Sequence, residues 1–156
     1  MTSLENNLNT LLVKVYRSLE KLEEEMLRAS KNIHLTINEI HMLEAIEESS
    51  KEGSATISDI SAYLDISLPS VTLAVNKLVR KGYVTKEKCG EDGRVVRVKL
   101  TREGHRAEHA HRYFHRAMVR SITQDLSEEE RAALLMGVAK LDGFLEKNIQ
   151  KYKVMR

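Results

Sequence analysis

The chain contains one cysteine, one proline and no tryptophan, and aromatic residues make up only 4% of its 156 positions. The lone Cys89 excludes an internal disulfide framework and any cluster that needs several thiolates, and it suits a reducing compartment. So few aromatics leave little surface for stacking bases or sugars. No run of about 18 apolar residues occurs, so a membrane-crossing helix is not expected. The start, Met1-Thr2-Ser3-Leu4-Glu5, lacks the basic and then apolar stretch of an export signal, and the expectation is a soluble cytoplasmic protein with no membrane partner. The seven glycines are scattered along the chain. There is no phosphate-cradling glycine-rich loop, nucleophile elbow or His-Glu-x-x-His motif, so neither an enzyme nor a cofactor is expected.

What is present is 42% hydrophobic and 31% charged material, a globular composition of the size of a single domain, 1–156. The net charge of +2 argues at first sight against a polyanionic partner. It conceals a segregation, however. Residues 1–67 carry 6 basic and 12 acidic side chains, a balance of −6; residues 68–120 carry 13 and 5, a balance of +8; residues 121–156 carry 6 of each. The middle third therefore offers a local attractive field that acts within a Debye length of about 8–10 Å, whatever the distant acidic end does.

Hydrophobic spacing predicts mostly helix. Leu4, Leu8, Leu11, Leu12, Val15, Tyr16, Leu19, Leu22, Met26 and Leu27 recur every three or four residues, a long amphipathic helix. Thr36-Ile37-Asn38-Glu39 has the form of a capping box opening a helix to about Glu48. Thr56 opens a short helix ending near Asp65, and Ser67 caps the next, with Pro69 tolerated in its first turn. That next helix is expected to bury Val71, Val75, Leu78 and Val79 and to stop at Gly82. Two short helices joined by a tight turn read as a helix-turn-helix. After Gly82 the period becomes two, and residues 83–88 and 95–100 read as a β-hairpin turning through Gly90-Glu91-Asp92-Gly93. Thr101 caps a further helix whose exposed face holds Arg102, Arg106, His109, Arg112, Arg116 and Arg120. Ser127-Glu128-Glu129-Glu130 is a second capping box, opening a last helix with Leu134, Leu135, Val138, Leu141, Phe144, Leu145 and Ile149 on one side.

One helix fills the major groove of B-DNA, its side chains reading base edges while hydroxyls and cations hold phosphates. Ser67, Pro69, Ser70, Thr72, Leu73 and Asn76 are short neutral groups suited to that helix, and Lys77, Arg80 and Lys81 suit the backbone. Lys86, Lys88, Asp92, Arg94 and Arg97 make the hairpin a second DNA-binding element. Arg94 is placed to enter a narrow minor groove, with Asp92 orienting its guanidinium. The two long terminal helices exceed what a lone winged helix needs; paired in two copies they would build a dimer interface, and two recognition helices would then read an inverted repeat. A helical protein–protein adaptor that never touches DNA is the competing class. Cys89, close to Lys86 and Lys88, is a candidate low-pKa redox thiol.

The same order of elements, with Leu68-Pro69-Ser70-Val71-Thr72-Leu73 to Gly82-Tyr83, the Asp92-Gly93-Arg94 wing and Leu100-Thr101-Arg102-Glu103-Gly104, resembles the winged-helix MarR family of bacterial transcription regulators over essentially the whole chain. Gly93 departs from a place often basic in that wing. His111-Arg112-Tyr113-Phe114-His115-Arg116-Ala117-Met118-Val119, followed by Leu126-Ser127-Glu128-Glu129-Glu130, together with His41 in Asn38-Glu39-Ile40-His41, is similar to the FabT-type subgroup of fatty-acid-biosynthesis repressors. The resemblance implies a mainly α fold with a small hairpin wing, dimerisation helices at 1–33 and 102–156, and a DNA-binding region at 34–101. It also implies a homodimeric repressor of fatty-acid genes with long-chain acyl-acyl carrier protein as corepressor. The ridge of Arg102, Arg106, Arg112 and Arg116 then becomes the expected dock for an acidic carrier protein, and Leu11, Val15, Ile40, Leu43, Phe114 and Met118 the candidate walls of an acyl pocket. Zinc-responsive members of the family also carry histidine-rich helices near this place, so His41, His105, His109 and Glu108 form an alternative metal set. The two i, i+4 pairs His105/His109 and His111/His115 stand roughly 120° out of phase and cannot all share one ion.

Overall fold

The computed structural model of the chain describes residues 2–89 and 95–155. Residues 90–94, and with them Asp92 and Arg94, lie outside the described residues, as does the side chain of Cys89. The elements in order are α1 (Ser3–Ala29), α2 (Ile37–Glu48), β1 (Ala55–Thr56), α3 (Ile57–Leu64), α4 (Leu68–Arg80), β2 (Val84–Cys89), β3 (Val95–Leu100), α5 (Arg102–Thr123) and α6 (Glu128–Val154). The chain divides into two compact units, 1–111 and 112–156.

In the first unit α2 is the centre. Its Ile40, Leu43 and Ile46 are fully buried with Ile60 of α3, Val71, Val75 and Leu78 of α4, and Val98 of β3. Each helix begins on a side-chain oxygen. Thr36 accepts from the Glu39 N–H while the Glu39 carboxylate accepts from the Thr36 N–H, and Thr56 and Asp59 make the same reciprocal pair. Such caps satisfy donors that a helix start cannot satisfy itself. The Thr56 hydroxyl and N–H hold the Asp59 carboxyl below its ordinary value.

The turn between α3 and α4 depends on Asp65, which takes the left-handed conformation at φ 54° and ψ 43°, one that aspartate tolerates better than most residues. The Ser61 hydroxyl donates to the Ile66 carbonyl at 2.6 Å and steadies the turn. Ser67 then caps α4 by accepting from the Ser70 N–H, with Pro69 in the first turn. At the far end Gly82 (φ 82°) follows, the Gly82 N–H reaching the Val79 carbonyl and the Tyr83 N–H the Leu78 carbonyl at 3.0 Å each. This two-bond ending turns the chain sharply out of the helix and into the hairpin.

The hairpin pairs β2 with β3 antiparallel, from Val84 opposite Leu100 to Cys89 opposite Val95. Sequence reasoning expected two strands; the sheet has three, in the order β1-β3-β2, because Ala55 and Thr56 pair with Val98 and Arg97. Two residues show no alternation, so this strand leaves no periodic signal. A second difference is Val79, expected in the core and found exposed beside its buried neighbour Leu78. Thr101 joins wing to α5, its hydroxyl donating to the Gly82 carbonyl at 2.8 Å and accepting from the Gly104 N–H at 3.1 Å.

In α1 the apolar stripe from Leu4 to Leu22 is exposed. In the second unit α6 opens on the Ser127/Glu130 capping box, and Leu134, Leu135, Val138, Phe144, Leu145 and Ile149 are likewise exposed. Among the described residues, no helix is long and apolar enough to cross a membrane.

Candidate nucleic-acid interface

α4 presents one outward stripe. Thr72 and Leu73 are exposed, Leu73 by 69%, and Asn76 is half-buried one turn further on. A large aliphatic side chain this open is available to a partner, and a thymine methyl is one the major groove supplies. Beside this stripe runs a groove of about 390 Å³ lined by Thr56, Ile57, Ser58, Leu68, Thr72, Val95 and Val96. The first turn of α4 and the root of the wing therefore border one concavity.

Of the expected contact residues, Ser67, Pro69, Ser70, Arg80 and Lys88 are exposed. The Ser67 and Ser70 hydroxyls bond each other at 2.8 Å, so both also serve the cap. Lys86 reaches back from β2 and donates to Asn76 Oδ1 at 2.6 Å, linking wing and helix. Three of the expected cations, Arg97, Lys77 and Lys81, are held from within. Arg97 donates to Ser54 Oγ at 3.0 Å and steadies the β1 edge. Lys77 lies 3.1 Å from Glu39 Oε1, on the side of α4 that faces α2.

Glu39 is the residue that sequence reasoning missed, seen only as a cap. It is 6% exposed, and its Oε2 accepts from Lys81 Nζ at 2.7 Å and from the Thr36 N–H at 2.8 Å. Burial pushes its carboxyl upward, but Lys81, the Thr36 N–H and Lys77 outweigh that and bring it from 4.5 down to about 2. Lys81 also donates to the His34 carbonyl at 3.0 Å. One carboxylate thus closes the start of α2 and clamps the last turns of α4, which holds the outward stripe at a set angle.

The expected acyl-pocket walls do not form one recess in the first unit. Ile40 and Leu43 are solid core, whereas Leu11 and Val15 are 57% and 52% exposed on α1. In the second unit Phe114 and Met118 are half-buried. A recess does exist in the first unit, about 320 Å³, lined by Ile33, Tyr83, Ala107 and Ala110 with Lys31 and Arg106 among its polar residues. Arg102, Arg106 and Arg116 are exposed, and Arg112 is half-buried.

The alternative metal set is not assembled as expected. His41 meets neither His105 nor His109; its Nε2 is 3.9 Å from Glu23 and its ring stacks edge-on against His111 at 5.5 Å. His105 lies 3.6 Å from Glu47, and His109 3.6 Å from the buried Glu108. His111, fully buried, has Nδ1 2.7 Å from Glu44 Oε1 and Nε2 4.0 Å from Glu23 Oε1. The buried His111 thus has Glu44 on its Nδ1 side, Glu23 on its Nε2 side and the His41 ring against its own.

With this geometry described, a family model for the MarR family matches residues 35–95, from the start of α2 to the wing. The fold also superposes on the crystal structure of Streptococcus pneumoniae FabT in complex with DNA at a TM-score of 0.83, with 34% identity over 92% of this chain and 98% of that one. The chain belongs to the MarR family. Further relatives agree. The HTH-type transcriptional regulator YpoP of Bacillus subtilis is 26% identical over 66% of this chain and 68% of its own length. The HTH-type transcriptional repressor MdtR of the same organism is 24% identical over 67% of this chain and 65% of its own. The protein is accordingly a DNA-binding transcription regulator of the MarR type and not an enzyme. The three-stranded sheet is the wing of this MarR protein, α4 the second helix of its helix-turn-helix, and α1 and α6 its long terminal helices.

Proposed function

We propose that this MarR regulator is a cytoplasmic homodimer that represses fatty-acid biosynthesis genes, binding an inverted-repeat operator more tightly when long-chain acyl-acyl carrier protein is present. The observation that carries this reading is the likeness to FabT, which extends over 98% of that protein. It agrees with the resemblance of residues 111–119 and 126–130 to the FabT-type subgroup. Residues 1–33 and 102–156 supply dimerisation, and 34–101 read DNA. Burying the exposed apolar stripes of α1 and α6 against a second copy supplies the driving force. Thr72, Leu73 and Asn76 face bases, Arg80 and Lys88 face phosphates, and Arg94 enters the minor groove beside them.

The corepressor role draws support from Arg102, Arg106 and Arg116, exposed cations suited to an acidic carrier protein. Arg106 also stands at the recess lined by Ile33, Tyr83, Ala107 and Ala110, a candidate entry for the apolar chain. Glu23, which lies 3.9 Å from His41 Nε2 and 4.0 Å from His111 Nε2, favours a second reading, a divalent cation as effector.

The test is a salt-controlled gel shift with DNA upstream of the protein's own operon. It is run alone, with acyl-acyl carrier protein, with unacylated carrier, and with zinc or a chelator. Tightening by the acylated carrier alone supports the first reading, and zinc dependence supports the second. Absence of any salt-sensitive, sequence-dependent shift refutes both and leaves the adaptor class.

A further inference from the structure

The contact between Lys86 and Asn76 bears on which base the recognition helix selects. Asn76 shares the outward side of α4 with Thr72 and Leu73, and its Oδ1 receives Lys86 Nζ at 2.6 Å. An asparagine amide has an acceptor end and a donor end that are hard to tell apart by shape. Here the chemistry decides between them. An ammonium has three donors and no acceptor, so the end of the amide that meets Lys86 must be the oxygen, and the NH2 points the other way.

An asparagine that reads adenine in the major groove uses both ends, its oxygen accepting from N6 and its NH2 donating to N7. In this protein the oxygen already accepts from a cation. A second lone pair remains, but the N6 amino group, itself a donor, would have to approach beside the Lys86 ammonium, donor against donor. Apart from that crowded lone pair, the free groups of the pair are the two N–H of Asn76 and the two remaining N–H of Lys86, all donors. Guanine offers N7 and O6, two acceptors on one edge.

We propose that Lys86, on the wing, holds Asn76 as a donor-only reader, so that the Asn76–Lys86 pair selects guanine and discriminates against adenine at the base it faces. Lys86 is a positioning residue for specificity, and the wing contributes to reading the major groove through it. The proposal rests on α4 being the helix that enters the groove.

The experiment selects binding sites from a randomised duplex DNA library with the full-length protein and sequences them, for the wild type and for Thr72→Ala, Asn76→Ala, Lys86→Met and Lys86→Arg. Circular dichroism confirms that each variant is folded. The wild-type site is expected to contain a guanine whose preference vanishes in Asn76→Ala. In Lys86→Met, which keeps the apolar stem and removes the donor, adenine should gain on guanine at that position by roughly tenfold, whatever happens to overall affinity. Lys86→Arg, still donor-only, should keep the guanine. An adenine preference lost in Asn76→Ala, or an unchanged guanine preference in Lys86→Met, overturns the proposal while α4 remains the reader. Sites unchanged in both Thr72→Ala and Asn76→Ala overturn the placement of α4 itself.

Discussion

Replacing Glu39 by glutamine tests how the recognition helix is held. The substitution keeps the shape and an acceptor for the Thr36 N–H, and removes the charge that Lys77 and Lys81 face at 3.1 and 2.7 Å. The carboxyl is held at about 2 in the fold against an ordinary 4.5. This difference of about 2.5 units corresponds to about 3 kcal/mol at roughly 1.4 kcal/mol per unit. Lys77 and Lys81 keep 52% and 33% of their side chains in solvent, and screening there reduces the expected loss to about 2 kcal/mol. The sign follows from linkage. A carboxyl depressed in the fold stabilises it fully above pH 4.5, and that contribution disappears as the pH falls from 4.5 through about 2. Urea denaturation of wild type and Glu39→Gln, at one protein concentration because a dimer's stability depends on it, should therefore differ by about 2 kcal/mol at pH 7 and by under half of that near pH 3. A gap independent of pH, or one that widens in acid, would falsify the clamp. Operator affinity should weaken in the same variant, since the last turns of α4 lose the anchor that sets their angle.

Other outcomes follow from single contacts. Gly104→Ala places a Cβ against the Tyr83 carbonyl oxygen at the junction of wing and α5. It should cost about 1–3 kcal/mol in denaturation, and an unchanged midpoint would show that the junction yields freely. Leu11→Glu with Val15→Glu puts charge on the exposed stripe of α1. Sedimentation should then report monomers and operator binding should fall, whereas a dimer that survives both charges argues against that stripe as its interface. Arg94→Ala should weaken operator binding about tenfold, the scale of one good groove contact, without dissolving the dimer. Equal binding in an anisotropy titration would remove Arg94 from the minor groove.

Much of this fold was legible in the chain. The caps at Thr36, Thr56, Ser67 and Ser127 and the stop at Gly82 stand in the structure where the sequence places them, because a cap is a contact between residues three apart. The outward stripe of Thr72, Leu73 and Asn76 was legible for the same reason, helical period being local. Less legible were the contacts that bridge the chain. Lys81 meets Glu39 across 42 positions, Arg97 meets Ser54 across 43, and His111 meets Glu44 across 67. The sequence makes Lys81 available to a phosphate and Arg97 to DNA at the wing, because composition near a motif shows that a cation is available and not what it faces. The strand at Ala55 and Thr56 leaves no sequence signal because two residues have no period, and helical spacing puts His105 and His109 on one face without showing that His41, on α2, meets Glu23 and His111 instead.

Periodicity, caps and charge segregation settle the order of helices, the wing and the basic middle third of this MarR regulator, since each acts over a few residues of chain or sums over many. Which charges remain for DNA is a different question, decided only when distant segments pack. An ion pair depends on a separation of a few ångströms, and it is the packing of α2 against α4 that brings Glu39 to Lys77 and Lys81. The pairing of β1 with β3 likewise brings Ser54 to Arg97. The packing of β2 against α4 likewise turns Lys86 toward Asn76.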